Sequence, residues 1–104
     1  MPKSAFINDG YTRDGYIAET PFFPACRFHY RPCTSLERKG LYDRLTREDT
    51  LHGTEASERT LNAWIAERVQ SWDLRDQGDH VVPVTAQNVA RLEPNFHRRL
   101  ADVL

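Results

Sequence analysis

Net charge of either sign is missing from this chain: fourteen Lys and Arg stand against fifteen Asp and Glu, a formal charge of −1 with the histidines neutral. A balanced surface sets up no long-range field to gather phosphate backbones or anionic lipid, so neither nucleic acid nor a membrane is an expected partner. Long apolar runs are absent as well. No stretch approaches the roughly 20 residues that span a bilayer, and Met1-Pro2-Lys3-Ser4-Ala5-Phe6 lacks the apolar segment of a secretory leader, so a cytoplasmic location is expected. Glycine is sparse, at five residues, and arranged neither as a dinucleotide-binding fingerprint nor as a phosphate loop with its Gly-Lys-Ser or Gly-Lys-Thr.

Cysteine is scarce too. Cys26 and Cys33 flank one apparent strand, where seven steps of about 3.3 Å would part them by roughly 23 Å, so both are expected to be reduced unless a hairpin bend brings them together. The four histidines, His29, His52, His80 and His97, are scattered, and none shares a helix with a second His or Cys at ligand spacing. The acidic clusters Glu48-Asp49 and Asp73 to Asp79 lack the alternating ligands and closing Glu of a calcium loop and read as solvated turns. No metal and no cofactor is therefore expected. Cys33 and His29 are near enough in sequence for a thiolate and its base, but no orienting Asp or Asn is indicated, and a packed thiol is the plainer reading. No catalytic residue is assigned, and the chain is not expected to be an enzyme.

Aromatic and amphipathic segments are what the sequence does hold, in a length of 104 residues that suits one domain. Residues 1–24 read as an extended arm, with turns at Asn8-Asp9-Gly10 and Asp14-Gly15, a short strand over Tyr16-Ile17-Ala18-Glu19, and a free segment Met1–Asp9. Thr20-Pro21-Phe22-Phe23-Pro24 closes it as a loop. Tyr11, Tyr16, Phe22 and Phe23 precede the better-defined elements and are the candidate partner-binding residues, since aromatic rings concentrate in interface centres. Wrapping of the arm around the helices, which would bury the same rings internally, is the alternative.

Residues 25–104 read as a single α+β domain. From Ala25 to Pro32 the pattern alternates, Cys26, Phe28 and Tyr30 against Arg27, His29 and Arg31, which predicts an antiparallel strand covered on one side and ended by Pro32. Thr34-Ser35-Leu36-Glu37 has the spacing of a capping box, so a helix should start at Ser35 and run to about Leu45, with Thr46–Gly53 as a connection. Gly53 or Thr54 can cap a second helix over Glu55–Trp72, on which Leu61, Trp64, Ile65, Val69 and Trp72 recur at helical spacing. Pro83 confines Val81-Val82-Pro83-Val84 to an edge strand or an extended loop. Thr85 should cap a helix over Ala86–Leu92, and Glu93-Pro94 restarts the chain as a last helix carrying Phe96, Leu100, Val103 and Leu104. The basic pairs Arg38-Lys39 and Arg98-Arg99 read as solubilising faces. The expected fold is mainly α-helical, three or four helices on a small antiparallel sheet. Its core should hold Trp64, Ile65, Val69, Trp72, Phe28, Tyr30, Leu41, Leu45, Leu92, Phe96 and Leu100.

Two stretches carry a resemblance. Phe28-His29-Tyr30-Arg31-Pro32-Cys33-Thr34-Ser35-Leu36-Glu37-Arg38, an aromatic strand, an Arg-Pro step and a Thr-initiated helix, resembles the opening of phage tail assembly chaperones. Val69-Gln70-Ser71-Trp72-Asp73-Leu74 closing a helix, Asp76-Gln77-Gly78, Val82-Pro83-Val84-Thr85, Asn88-Val89, Leu92 and Pro94 follow the same family's later progression. The likeness spans residues 25–104. Cys33 stands where a small or hydrophobic residue is usual, Asp79-His80 follow Gly78, and the arm has no counterpart. The resemblance implies a non-enzymatic chaperone that binds the tape-measure protein and helps tail-tube protein assemble around it, in the host cytoplasm, with a homo-oligomer left open. Tyr30, Arg31, Pro32, Trp72, Asp73, Gly78, Pro83, Thr85 and Leu92 are the motif positions, expected to be chiefly structural. A head-tail or tail-completion subunit retained in the virion is the rival reading.

Overall fold

The computed structural model describes residues 11–104, so the expected turn at Asn8-Asp9-Gly10 and the expected free segment Met1–Asp9 lie outside the described residues. The elements in order are β1 (Arg13–Ile17), β2 (Cys26–Tyr30), α1 (Ser35–His52), α2 (Thr54–Arg68), β3 (Val69–Trp72), α3 (Ala86–Ala90) and α4 (Pro94–Val103). The strands form one antiparallel sheet in the order β1-β2-β3, with the four helices packed against it, an α+β fold.

Strand β2 is the centre of the sheet because its alternation is the strongest in the chain. Cys26, Phe28 and Tyr30 are buried while Arg27 is exposed and His29 half-buried. The register sets Gly15 opposite Phe28 and Ile17 opposite Cys26, so Ile17 continues the inner face. Gly15 is required by contact: a methyl group built there would overlap the Phe28 ring. The expected strand over residues 16–19 thus forms earlier, as Arg13–Ile17, and draws the described part of the arm into the fold.

The second helix differs most from expectation. It ends at Arg68, and Val69 turns extended at φ −84°, ψ 112° to begin β3 with no connecting residue. Ile65, Val69 and Trp72 fit a helical stripe, yet a β-branched and an aromatic residue also suit a strand, and the free edge of β2 decides between them. Phe28 pairs with Trp72 and Tyr30 with Val69 across an irregularity at His29/Tyr30. Arg31 N donates to Arg68 O (2.8 Å) and Asp73 N to Arg27 O (3.1 Å), extending the pairing beyond both ends.

Helix α1 starts as its capping box requires: Thr34 Oγ1 accepts from Glu37 N and Glu37 Oε1 from Thr34 N, both at 3.1 Å. It then runs through the expected connection to His52, because Thr46–His52 holds no Gly or Pro and its polarity marks a solvated face. Gly53 alone joins α1 to α2, at φ 92°, a left-handed value that glycine adopts without strain. Helix α3 is shorter than expected, ending at Ala90, while Thr85 and Glu93 cap α3 and α4 as their side chains allow.

The core joins Ile17, Phe23, Cys26, Phe28, Tyr30, Val69 and Trp72 to Ile65 of α2, Val89 of α3 and Phe96, Leu100 and Leu104 at the α4 end. Of the expected core residues, Trp64, Leu45 and Leu92 are half-buried. Trp64 keeps one face for the Arg68 guanidinium, 5.5 Å from its ring centroid. Leu45 lies on α1, whose buried side is narrow, with Leu41 its one buried residue. Leu92 lines the floor of a cleft.

Candidate binding cleft

After β3 the chain makes a polar excursion and returns. Asp76 organises the turn, its Oδ1 accepting from Gly78 N (2.9 Å) and His80 N (3.0 Å). Asp79, rather than Gly78, takes the left-handed conformation, at φ 62°, which a short polar side chain tolerates. Arg75 and Val81 pair across the loop, and Val82 N donates to Leu74 O (2.9 Å). Two side chains fasten the returning segment, which is extended chain and not a strand of the sheet. Trp72 Nε1 donates to Val82 O (2.5 Å), and Asn88 Nδ2 donates to Pro83 O (2.9 Å).

Between this loop and the α3–α4 region lies a cleft of about 480 Å³. Trp72, Leu74, Val82 and Leu92 give it an apolar floor, Pro24 and Pro83 border it, and Val81, half exposed at 52%, stands at its lip. Charges of both signs, Arg75, Asp76, Arg91 and Glu93, ring the opening. An apolar floor under a mixed-charge rim suits one face of an amphipathic segment, with its polar flanks on the rim.

The motif positions separate into two groups. Trp72, Pro83 and Leu92, widely spaced in sequence, line this one cleft. The others hold backbone in place: Tyr30 packs on Phe28 at 5.5 Å between ring centroids, buried Pro32 offers its carbonyl to Arg68, Asp73 Oδ1 accepts from Arg27 N (3.0 Å), Thr85 caps α3, and Arg31 and Gly78 act through their backbone amides. The second motif stretch closes a strand, where a helix end was expected.

The four candidate aromatic residues do not form one patch. Phe23 is core, packed edge-on against Phe96 at 5.2 Å, which is the internal alternative for that ring. Phe22 is 75% exposed, beside Arg98 and Arg99 in a shallow hollow of about 370 Å³. Tyr16 is exposed on the open face of the sheet with the Arg27 guanidinium 5.3 Å from its ring, and Tyr11 is half-buried under Arg13.

Three polar groups converge at a place that no motif had marked. On the open sheet face His29 Nδ1 meets Asp14 Oδ1 at 2.5 Å and His29 Nε2 lies 3.4 Å from Thr12 Oγ1. The order carboxylate, imidazole, hydroxyl is that of a proton relay, but 3.4 Å exceeds the roughly 2.6–3.2 Å over which a base takes a proton. Asp14 is also 87% exposed, so solvent screens the pair. Alternation, which puts Asp14 and His29 on one face of neighbouring strands, is the signal that could have found them. Cys33 is turned elsewhere, its Sγ donating to Leu104 O (3.4 Å). Cys26 is buried, and desolvation, reinforced by neighbouring Asp73, pushes its thiol up to about 12. Among the described residues no three His, Cys, Asp or Glu side chains gather as metal ligands, and no helix is long and apolar enough to cross a membrane. Buried Asn62 of α2 meets His97 of α4 at 2.6 Å, a polar pair foreshadowed by an Asn one turn before Ile65 on the inward side.

Comparison with known protein families, with curated proteins and with solved structures finds no match to this chain.

Proposed function

We propose that this protein binds other proteins without catalysing a reaction, as a tail assembly chaperone whose cleft takes the apolar face of a helical segment of a tape-measure protein. What supports the reading is that Trp72, Pro83 and Leu92, three of the positions that carry the resemblance, line a single apolar cleft with a charged rim. A client made of long amphipathic helices aggregates through its exposed apolar stripes, and a small domain that covers one such stripe keeps it dispersed. Release must follow when tube subunits arrive, so one shallow cleft per copy suits the task better than a large interface.

Co-expression with a tape-measure fragment is expected to raise that fragment's soluble fraction. Val81→Glu, which sets a charge at the lip without touching the core, is expected to weaken binding about tenfold, the equivalent of roughly 1.4 kcal/mol, with the melting temperature unchanged. An unchanged soluble fraction with both proteins folded would sink the proposal. Mass spectrometry of mature particles is expected to miss the chain, whereas a retained structural subunit would be found there.

A further inference from the structure

On α4, Asn95 stands three and four residues before Arg98 and Arg99, so the three share one side of the helix. That side borders the hollow of about 370 Å³ whose other wall holds Phe22 and Phe23, and arginine supplies every charge on the lining. Arg98 Nη2 donates to Asn95 Oδ1 (2.7 Å), and the Arg99 guanidinium lies 5.8 Å from the Phe23 ring centroid. Both are thus held at the hollow, yet neither meets a carboxylate among the described residues. Phe22 is presented to solvent by a tight turn. Thr20 N donates to Phe23 O (3.0 Å), Phe22 N donates to Thr20 Oγ1 (3.2 Å), and Pro21 and Pro24 restrict the backbone under a ring that is 75% exposed. A fixed aromatic ring beside unpaired guanidiniums has the composition of an interface centre, in which aromatic residues and Arg are enriched.

The hollow continues the cleft. Pro24 borders the cleft and Phe23 the hollow, while Glu93 lies on the cleft rim and Asn95, two residues on, lines the hollow. Charge changes along that line: two basic and two acidic residues balance at the cleft, whereas the hollow has two basic residues and no acidic one. We propose that the helical segment seated in the cleft extends over Pro24 and sets an Asp or Glu carboxylate, just beyond its apolar stripe, against Arg98 and Arg99 beside Phe22. The planar guanidinium matches carboxylate geometry, and the Phe22 ring shields one side of the pair from water. Charge complementarity then orients the segment, because only one end of its stripe reaches the arginines. The inference rests on the cleft reading and adds to it the polarity and the acidic character of the partner.

Fluorescence anisotropy tests it with synthetic amphipathic helical peptides, identical in their apolar stripe and carrying Glu-Glu, Gln-Gln or Lys-Lys just beyond it, at one end or the other. The Glu-Glu peptide is expected to bind about fivefold tighter than the Gln-Gln peptide, for one end only, and the Lys-Lys peptide more weakly than either. The preference should shrink as salt rises. Arg98→Gln with Arg99→Gln is expected to abolish it, with circular dichroism confirming the fold. Val81→Glu, at the cleft lip, is expected to weaken all the peptides alike. Equal binding of the peptides, each weakened by Val81→Glu, would overturn this inference and leave the cleft reading standing, whereas no binding to the folded protein would overturn both. An acidic preference that survives the arginine replacements would also overturn it. So would a concentration-dependent dimer, seen in sedimentation and dispersed by Phe22→Ser, which would assign the hollow to a second copy of the chain.

Discussion

A methyl group at Gly15 has no space except that held by the Phe28 ring, and Phe28 is locked between β1 and Trp72 of β3. Gly15→Ala is therefore expected to cost about 1–3 kcal/mol in urea unfolding, the usual penalty of an overpacked core. Adding Phe28→Leu should recover part of the loss; a fully stable Gly15→Ala variant would mean that the ring swings aside freely. The sequence marked Asp14-Gly15 as a turn because glycine commonly serves turns. Here it serves a neighbour's ring, and only the strand register reveals that. Cys26 shows the opposite situation, since its alternation with Phe28 and Tyr30 already put it inside, where burial keeps its thiol protonated.

At the scale of elements, Glu37 ties the start of α1 to the end of α2. Its carboxylate caps Thr34 N and meets Arg68 Nη2 at 2.5 Å, while the same guanidinium covers Trp64 and reaches Pro32 O. Arg68 first, then the Thr34 amide, hold the Glu37 carboxyl down to about 2. A folded value below the unfolded one makes the contribution complete above the ordinary carboxylate range and lost as pH falls toward the folded value. Because Glu37 is substantially exposed, its size is expected to be about 1 kcal/mol or less. The melting-temperature gap between wild type and Glu37→Gln, which keeps the cap, should shrink between about pH 5 and pH 2. A gap that stays constant would show that charge is not its source. Local chemistry made the capping box, the β2 alternation and the Glu93-Pro94 restart legible. It could not place the end of α1, where Thr46–His52 is polar without being helix-breaking. Nor could it tell strand from helix at Val69–Trp72, since the three-residue spacing of Val69 and Trp72 fits a helix, and only the irregular pairing with β2 at His29/Tyr30 lets a strand bury both.

Across the whole molecule, the cleft was legible only as separate residues. Trp72, Pro83 and Leu92 were each singled out in the sequence, but their convergence depends on the Asp76 turn, the indole bond to Val82 and the Asn88 bond to Pro83, which fold the 73–85 segment back. The direct passage from Arg68 to Val69 has a further consequence. With no slack at that joint, the helix phase that buries Ile65 and the strand parity that buries Val69 are set by one shared count of residues. A residue inserted there must either rotate α2 by about 100° or exchange the faces of β3. A Gly inserted between Arg68 and Val69 is expected to abolish cooperative thermal melting, whereas one inserted after Gln77, in the exposed turn, should lower the midpoint by no more than about 8 °C. Changes of length are thus confined to the exposed hairpin beyond Trp72, and the joint itself admits none.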